Sequence, residues 1–136
     1  MRAELCLRLR TEELLREDVQ RPFKVGHCDV LVDDETFDLM KNGAEGIISV
    51  ASNIVPAMVA ELSHNMLEGK VDEAEAMHAK LLPLFKNCFV ESNPIPTKAA
   101  LNAMGLMENE LRLPLVPASQ PAYELMVQTV KELGIL

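Results

Sequence analysis

The hydrophobic positions of this chain form a short, nearly continuous run at Gly46–Asn53. Ile47, Ile48 and Val50 carry β-branched side chains without a clean alternation, and the run is entered through a glycine and left through Ser-Asn. A strand that helices cover on both faces needs no alternation of apolar and polar residues. The pattern therefore predicts one buried strand of a parallel sheet.

The residues before this run predict a second strand and a helix. Residues 28–32 form a short apolar segment that ends at Asp33-Asp34, whose carboxylates can accept the free N–H groups of a following helix. That helix carries Phe37 and Met40 on one side and ends at Asn42-Gly43. The order of strand, helix and strand predicts a βαβ unit with parallel strands.

The first 22 residues are less informative. The segment 5–9 suits a strand or a helix equally, and Thr11 is a possible cap for a helix that Pro22 ends. Cys6, Cys28 and Cys88 show no CxxC spacing, and the three histidines (His27, His64, His78) are scattered. This distribution favours a reducing compartment and predicts neither a disulfide framework nor a metal site.

Helical spacing dominates after residue 53. A helix over 53–68 ends at Gly69, and Asp72, with Glu75 three residues later, is the predicted cap of the next helix. Pro83 lies inside that helix and predicts a kink. The predicted apolar face of the helix over 53–68 comprises Ile54, Met58, Val59, Leu62, Met66 and Leu67. The predicted apolar face of the following helix comprises Ala74, Met77, His78, Leu81, Phe85, Cys88 and Phe89.

Two further helices follow a proline-rich break. Pro96 is placed to begin a helix that carries Ala100, Leu101 and Met104 as far as Gly105. The segment 111–117 is predicted to be extended. A last helix over 120–133 presents Tyr123, Met126, Val127 and Val130 on one face. The chain therefore has only two predicted strands for four predicted helices after them, which is few for a complete parallel sheet.

Composition narrows the function classes. A chain of 136 residues with 49% hydrophobic residues can form a core, but its net charge of −8 and pI near 4.8 argue against a nucleic-acid partner. Arg2, Arg8 and Arg10 are interleaved with Glu4, Glu12 and Glu13, as on a solvated face. No run is long enough to span a membrane, and the N-terminus is a poor signal peptide, so we expect a soluble cytoplasmic protein. We also expect no cofactor.

Four segments are distinctive: residues 46–50 (Gly-Ile-Ile-Ser-Val), 82–84 (Leu-Pro-Leu), 89–98 (with Asn-Pro-Ile-Pro) and 111–115 (Leu-Arg-Leu-Pro-Leu). Together they resemble the C-terminal part of the 4-hydroxy-tetrahydrodipicolinate synthase (dihydrodipicolinate synthase) family. The resemblance covers roughly residues 29–136. Asn-Pro-Ile-Pro and the later Leu-Arg-Leu-Pro separate it moderately well from sister aldolases such as N-acetylneuraminate lyase.

The resemblance implies an α/β fold, namely the C-terminal piece of a (β/α)8 TIM barrel with strands seven and eight, followed by a mostly helical bundle. Strand eight would be the run at 46–53, and helix eight the segment 53–68. Residues 1–68 would then form a partial barrel and residues 69–136 the bundle, so that the chain is largely helical overall.

The family chemistry implied is a Schiff-base condensation of pyruvate with aspartate semialdehyde. A lysine whose pKa is lowered by desolvation forms the Schiff base. The resemblance gives Ile48 as a pyruvate-binding position through its backbone, and plain core packing is an equal alternative. Where the family commonly has Ser-Gly-Asp-Asp, this chain has Leu31-Val32-Asp33-Asp34, so the role of Val32 is open.

The catalytic residues of the family are missing from the matching positions. The Schiff-base lysine would belong near residues 4–10, but the first lysine is Lys24, in a predicted surface loop. Lys98 belongs to the bundle, and the sole tyrosine, Tyr123, to the last helix. We expect no catalytic residue in this chain and no activity from it alone. Unpaired strand edges predict a homo-oligomer, and a non-catalytic self-associating or partner module is the alternative.

Overall fold

The computed structural model describes residues 33–136. The strand predicted at 28–32 and all earlier segments, with Lys24, His27, Cys6 and Cys28, lie outside this range. The described part contains five α-helices and two 3-10 turns. The helices are α1 (Thr36–Lys41), α2 (Pro56–Leu67), α3 (Val71–Asn87), α4 (Ile95–Ala103) and α5 (Gln120–Glu132), and the 3-10 turns are Asp33–Glu35 and Ala51–Asn53.

The first helical unit matches the sequence pattern. The 3-10 turn Asp33–Glu35 leads directly into α1, and Phe37 and Met40 are buried as predicted. The helix ends where Gly43 takes a φ of 101° and its N–H donates to the Met40 carbonyl at 3.0 Å. Glycine suits this position because it has no side chain to clash at positive φ.

The run at 46–53 is not a continuous strand. Ile47 has single-bridge geometry, and residues 51–53 form the second 3-10 turn, so the prediction of a strand to residue 53 is wrong at its C-terminal end. The N–H groups of Val50 and Ala51 bond to the Asp33 carboxylate and are therefore not offered to a neighbouring strand. Within residues 33–136 no longer strand is present, and strand eight stays a prediction.

Helix α2 starts later than the sequence pattern indicates. It begins at Pro56, a residue favoured in the first turn because its missing N–H has no helical partner there, and Gly69 follows its end with a φ of 76°. Leu67 is 58% exposed, so its place on the apolar face is wrong. It lies five residues after the buried Leu62, which turns it about 140° away from the core side.

Helix α3 begins one residue before its predicted cap. Lys70 precedes the helix, and Asp72 lies within the first turn, so the prediction of Asp72 as cap is wrong. An acidic residue in the first turn still interacts favourably with the helix dipole. Pro83 is inside the helix as expected, while the kink stays a prediction.

Helix α3 is the centre of the fold. It packs against the turn Asp33–Glu35, α1, α2 and α5. Its fully buried side chains are Ala74, Leu81, Leu84 and Phe85, followed by Cys88 at its end. Phe89 is 50% exposed and was wrongly placed on this face. The helix has ended at Asn87, and the Phe89 N–H turns back to the Lys86 carbonyl, so helical spacing no longer applies there.

Helices α4 and α5 pack against each other, and Pro96 occupies the first turn of α4 as predicted. On α5, Met126 and Val130 are buried, with Tyr123 and Val127 half-buried beside them. The segment between the two helices has no helix and is held near its middle and at its C-terminal end. Lys98 Nζ donates to the Glu110 carbonyl at 2.6 Å, and Ser119 Oγ donates to Glu91 Oε1 at 2.5 Å.

One hydrophobic cluster runs through all of these elements except the first 3-10 turn. It includes residues on both sides of the predicted boundary at 68/69, from Phe37 to Leu133, and the boundary itself stays a prediction. In the described part of the chain, every helix is too short or too polar to cross a membrane.

Candidate functional site

The loop before the second 3-10 turn carries the one site residue that the sequence indicates. Ile47 and Val50 are half-buried and pack against the hydrophobic cluster, whereas Ile48 is 54% exposed. The burial expected for Ile48 is therefore wrong, because no described element covers its side chain. Ile48 therefore lies at the surface of the described part of the chain.

The side chain of Asp33 holds this loop by two hydrogen bonds. Its Oδ2 accepts the N–H of Val50 at 3.0 Å and the N–H of Ala51 at 2.9 Å, and the residue is only 2% exposed. These N–H groups belong to the first turn of the 3-10 segment, where the helix itself provides no acceptor. The carboxylate thus caps a distant turn instead of its own helix, which sequence spacing did not indicate.

The loop is also closed by its own side chains. The Ser52 N–H donates to Ser49 Oγ at 2.9 Å, while Ser52 Oγ donates to the Ser49 carbonyl at 2.7 Å. Asn53 Nδ2 donates to the Val50 carbonyl at 2.9 Å. Short-range bonds of this kind hold a polar turn without a sheet. The backbone next to Ile48 is therefore held at its C-terminal side.

Two buried polar oxygen atoms lie at the start of the described chain, one of them on the same Asp33 carboxylate. Asp33 Oδ1 and Thr36 Oγ1 are buried without a hydrogen-bond partner among the described residues. Burial raises the pKa of the Cys88 thiol to about 12, a hydrogen bond with Thr97 lowers it in part, and the charge of Asp33 raises it. A thiol with this pKa is protonated at neutral pH and is a poor nucleophile.

The remaining residues that the sequence singled out do not join this site. Lys98 of α4 donates to the Glu110 carbonyl in the segment that follows this helix, and Tyr123 of α5 donates from its hydroxyl to Asn102 Oδ1 of α4 at 3.2 Å. Of these two bonds, only that of Tyr123 joins α4 to α5. Within residues 33–136, no group of three or more His, Cys, Asp or Glu side chains is arranged to hold a metal ion. Asp33 is the residue whose position sequence reasoning missed, since its partners lie 17 and 18 residues away.

Comparison with known proteins gives a consistent picture. The model of the dihydrodipicolinate synthetase family matches residues 14–133. The 4-hydroxy-tetrahydrodipicolinate synthase of Thermotoga maritima is 52% identical over 104 residues, which are 76% of this chain and 35% of the relative. The synthase of Kosmotoga olearia is 39% identical over 127 residues, or 92% of this chain and 42% of the relative.

Two solved structures that resemble this chain are also dihydrodipicolinate synthases. The crystal structure of dihydrodipicolinate synthase from Thermotoga maritima superposes with a TM-score of 0.77 at 51% identity, over 78% of this chain and 36% of that one. The enzyme from Acinetobacter baumannii, complexed with pyruvate, gives a TM-score of 0.75 at 36% identity, over 78% of this chain and 36% of that one. The chain thus spans about a third of the length of the Thermotoga synthases that it matches.

Proposed function

We propose, because this chain belongs to the dihydrodipicolinate synthetase family, that it forms the C-terminal part of a pyruvate-dependent lyase. The complete enzyme would condense pyruvate with aspartate semialdehyde in lysine biosynthesis. The observation that carries this proposal is the 52% identity over 104 residues to a named synthase, together with a TM-score of 0.77 to a solved one. In this proposal the described residues follow strand seven and include strand eight and the appended helices.

The role proposed for this part is to present the loop around Ile48 to pyruvate. Three observations support it. Ile48 is exposed, the adjoining backbone is held by Asp33 and by the Ser49–Ser52 bonds, and a relative with 36% identity is complexed with pyruvate. Active sites of (β/α)8 barrels lie at the C-terminal ends of the strands, where this loop would fall.

We propose further that none of the described lysines is the Schiff-base lysine. Such a lysine needs a desolvated position, which lowers its pKa and leaves the amine free to attack a carbonyl. Of the lysines within 33–136, Lys98 alone is half-buried, and its ammonium already bonds to the Glu110 carbonyl. We therefore propose that the chain alone is inactive and that the residues reacting with substrate are supplied by other barrel strands.

We place the protein in the cytoplasm, with pyruvate and aspartate semialdehyde as substrates of the complete enzyme and with no cofactor or nucleic acid. A second candidate is a self-associating module. Several large apolar side chains are exposed, among them Ile48 at 54%, Leu113 at 86% and Val116 at 58%. Exposed apolar surface favours association, so we expect a homo-oligomer in either case. A sister aldolase is less favoured, since the relatives above are all synthases.

The decisive experiment joins residues 33–136 to the N-terminal two thirds of the Thermotoga maritima synthase, in place of its own C-terminal part. We expect the hybrid to condense pyruvate with aspartate semialdehyde. The unaltered synthase is the positive control, and its N-terminal part alone is the negative control. A hybrid that folds, by circular dichroism and gel filtration, yet shows no condensation would refute the proposed function.

The chain alone is tested by reduction in the presence of pyruvate. With borohydride, a Schiff base becomes a stable amine adduct that mass spectrometry detects. We expect no adduct, and an adduct at any lysine would contradict the proposed inactivity. Light scattering on the same sample measures self-association, and a monomer would count against the homo-oligomer.

A further inference from the structure

His78 of α3 lies between two aromatic rings that belong to different helices. Its ring centroid is 5.8 Å from that of Phe37 in α1, with an interplanar angle of 32°, and 5.7 Å from that of Phe85 in α3, with an angle of 51°. Both phenylalanines are buried, at 7% and 1% exposure. Rings at such distances contribute to packing beyond the area they bury. His78 therefore joins the short helix α1 to the centre of the fold.

The surroundings of the imidazole are unsuited to a positive charge. Its Nδ1 is buried without a hydrogen-bond partner among the described residues. In the neutral ring this nitrogen can remain an unprotonated acceptor, whereas protonation would add a buried N–H donor with no acceptor in reach. A buried donor without a partner is costly, so the neutral form fits this position better.

The nearby charges act in the other direction but are weaker. Asp38 of α1 and Asp34 of the preceding turn are the described charged groups that act on the ring, and each raises its pKa. Burial is the largest influence and lowers the pKa of His78 below its ordinary value of 6.5. Lys41, whose ammonium lies 5.6 Å from the Phe37 ring centroid, is part of the same stack.

We propose that His78 is a pH-sensitive latch, which holds α1 against α3 when its ring is neutral and releases α1 when the ring is protonated. The consequence extends to the loop around Ile48. Asp33 begins the 3-10 turn that leads directly into α1, and it holds the N–H groups of Val50 and Ala51, so loosening α1 also loosens this anchor. The latch stands on its own geometry, and only the significance of the loop for pyruvate rests on the proposed function.

The direction of the pH effect follows from the two states of the helix. When α1 is released, His78 meets solvent and recovers a pKa near 6.5, whereas in the closed state its pKa is lower. Between these values the released state binds a proton that the closed state does not. The ratio of released to closed chains then rises by up to about tenfold for each unit that the pH falls. Well above pH 6.5 the ring is unprotonated in both states, and the contribution of His78 no longer changes.

The latch is tested by NMR on the full chain. The imidazole C–H signals of His78 give its pKa directly, and amide hydrogen exchange, corrected for the intrinsic rate, reports the opening of α1 between pH 7.5 and 5.5. We expect a pKa below 6.5 and a loss of protection in α1 of up to about tenfold below that pH, while α5 keeps its protection. A measured pKa of 6.5 or above would overturn the proposal.

Three variants distinguish the effect of protonating His78 from the effect of protonating other groups. His78→Phe retains a ring in the stack but takes up no proton, so the added pH dependence of α1 should vanish. His64→Gln removes an exposed histidine of α2 and should leave that dependence unchanged. Asp38→Asn removes a charge that favours protonation in the closed state, so it should lower the pKa of His78 further and extend the loosening to lower pH, with its onset still near pH 6.5. Persistence of the pH dependence in His78→Phe would refute the latch, and the titration of the unaltered chain decides if that variant does not fold.

Discussion

The N–H of Ala51 donates to Asp33 Oδ2 across 2.9 Å, and this buried bond joins residues that lie 18 positions apart in the chain. The neighbouring N–H of Val50 uses the same oxygen. One carboxylate thereby connects the start of α1 to the turn that leads into α2. The loop with Ile48 lies between these two attachments, so its geometry depends on both.

Replacing Asp33 by alanine should lower the free energy of unfolding by about 2–4 kcal/mol. The variant leaves two N–H groups of a buried turn without their charged acceptor, and hydrogen bonds to charged groups contribute about 1.5–3 kcal/mol each. Asp33→Asn keeps an oxygen acceptor in nearly the same place and should lose less. Urea unfolding of the three proteins measures the differences.

The neighbouring carboxylate provides the control for this experiment. Asp34 is half-buried, and Asp34→Asn should change the stability by less than about 0.5 kcal/mol at pH 7.5. Equal losses for Asp33→Ala and Asp34→Asn would show that the bonds to Val50 and Ala51 do not hold the loop.

A pair of leucines on α2 tests the position of the core. Leu62 is fully buried, and Leu62→Ala should cost about 2–5 kcal/mol because it removes packed methyl groups and leaves a cavity. Leu67 lies five residues further along the same helix, on another side, and is 58% exposed, so Leu67→Ala should cost less than about 0.5 kcal/mol. Similar costs in thermal or urea unfolding would contradict the orientation of α2 described here.

A hydrogen bond between two helices should be detectable as a coupling energy. Asn87 Nδ2 donates to Thr129 Oγ1 at 2.8 Å, and this hydroxyl in turn donates to the Leu125 carbonyl at 2.7 Å. Thr129→Val removes both bonds at similar volume and should cost about 1–2 kcal/mol. Combined with Asn87→Ala in a double-mutant cycle, it should show a coupling of about 0.5–1.5 kcal/mol.

The exposed Gln128 is a suitable control for that cycle. It bonds to Glu132 on the surface of α5, and Gln128→Ala should neither change stability by more than about 0.5 kcal/mol nor couple to Asn87. A coupling near zero between Asn87 and Thr129 would indicate that α3 and α5 are joined by apolar packing alone.

Helical periodicity predicted the described fold well wherever a helix has a regular interior. The helices after residue 53 were found with ends wrong by a few residues at most, and glycines with positive φ follow α1, α2, α4 and α5. The errors lie at helix ends. Leu67 is the last residue of α2, and Phe89 lies beyond the end of α3. Both were assigned to an apolar face by helical spacing, but at these positions the chain no longer presents the same side to the core.

The candidate site was less predictable because its contacts are distant in sequence. The β-branched run indicated a strand, but the bonds to Asp33 arrange its last residues as a turn, and no local pattern reveals a partner 17 residues away. The sequence likewise placed His78 on an apolar face but could not show that Phe37, from another helix, would stack on it. Family resemblance supplied the role proposed for Ile48, which its exposure alone does not define.

Cys88 should be protected from thiol reagents in the folded chain. Burial raises the pKa of its thiol from the ordinary 9.0 to about 12, so the reactive thiolate at pH 8 is reduced by about a thousandfold, and the side chain is fully buried. Brief alkylation at pH 8, followed by digestion and mass spectrometry, should leave the peptide with Cys88 unmodified, whereas the same treatment in urea should modify it. Peptide mapping distinguishes it from Cys6 and Cys28. Rapid modification under native conditions would contradict the burial of this residue between α3 and α4.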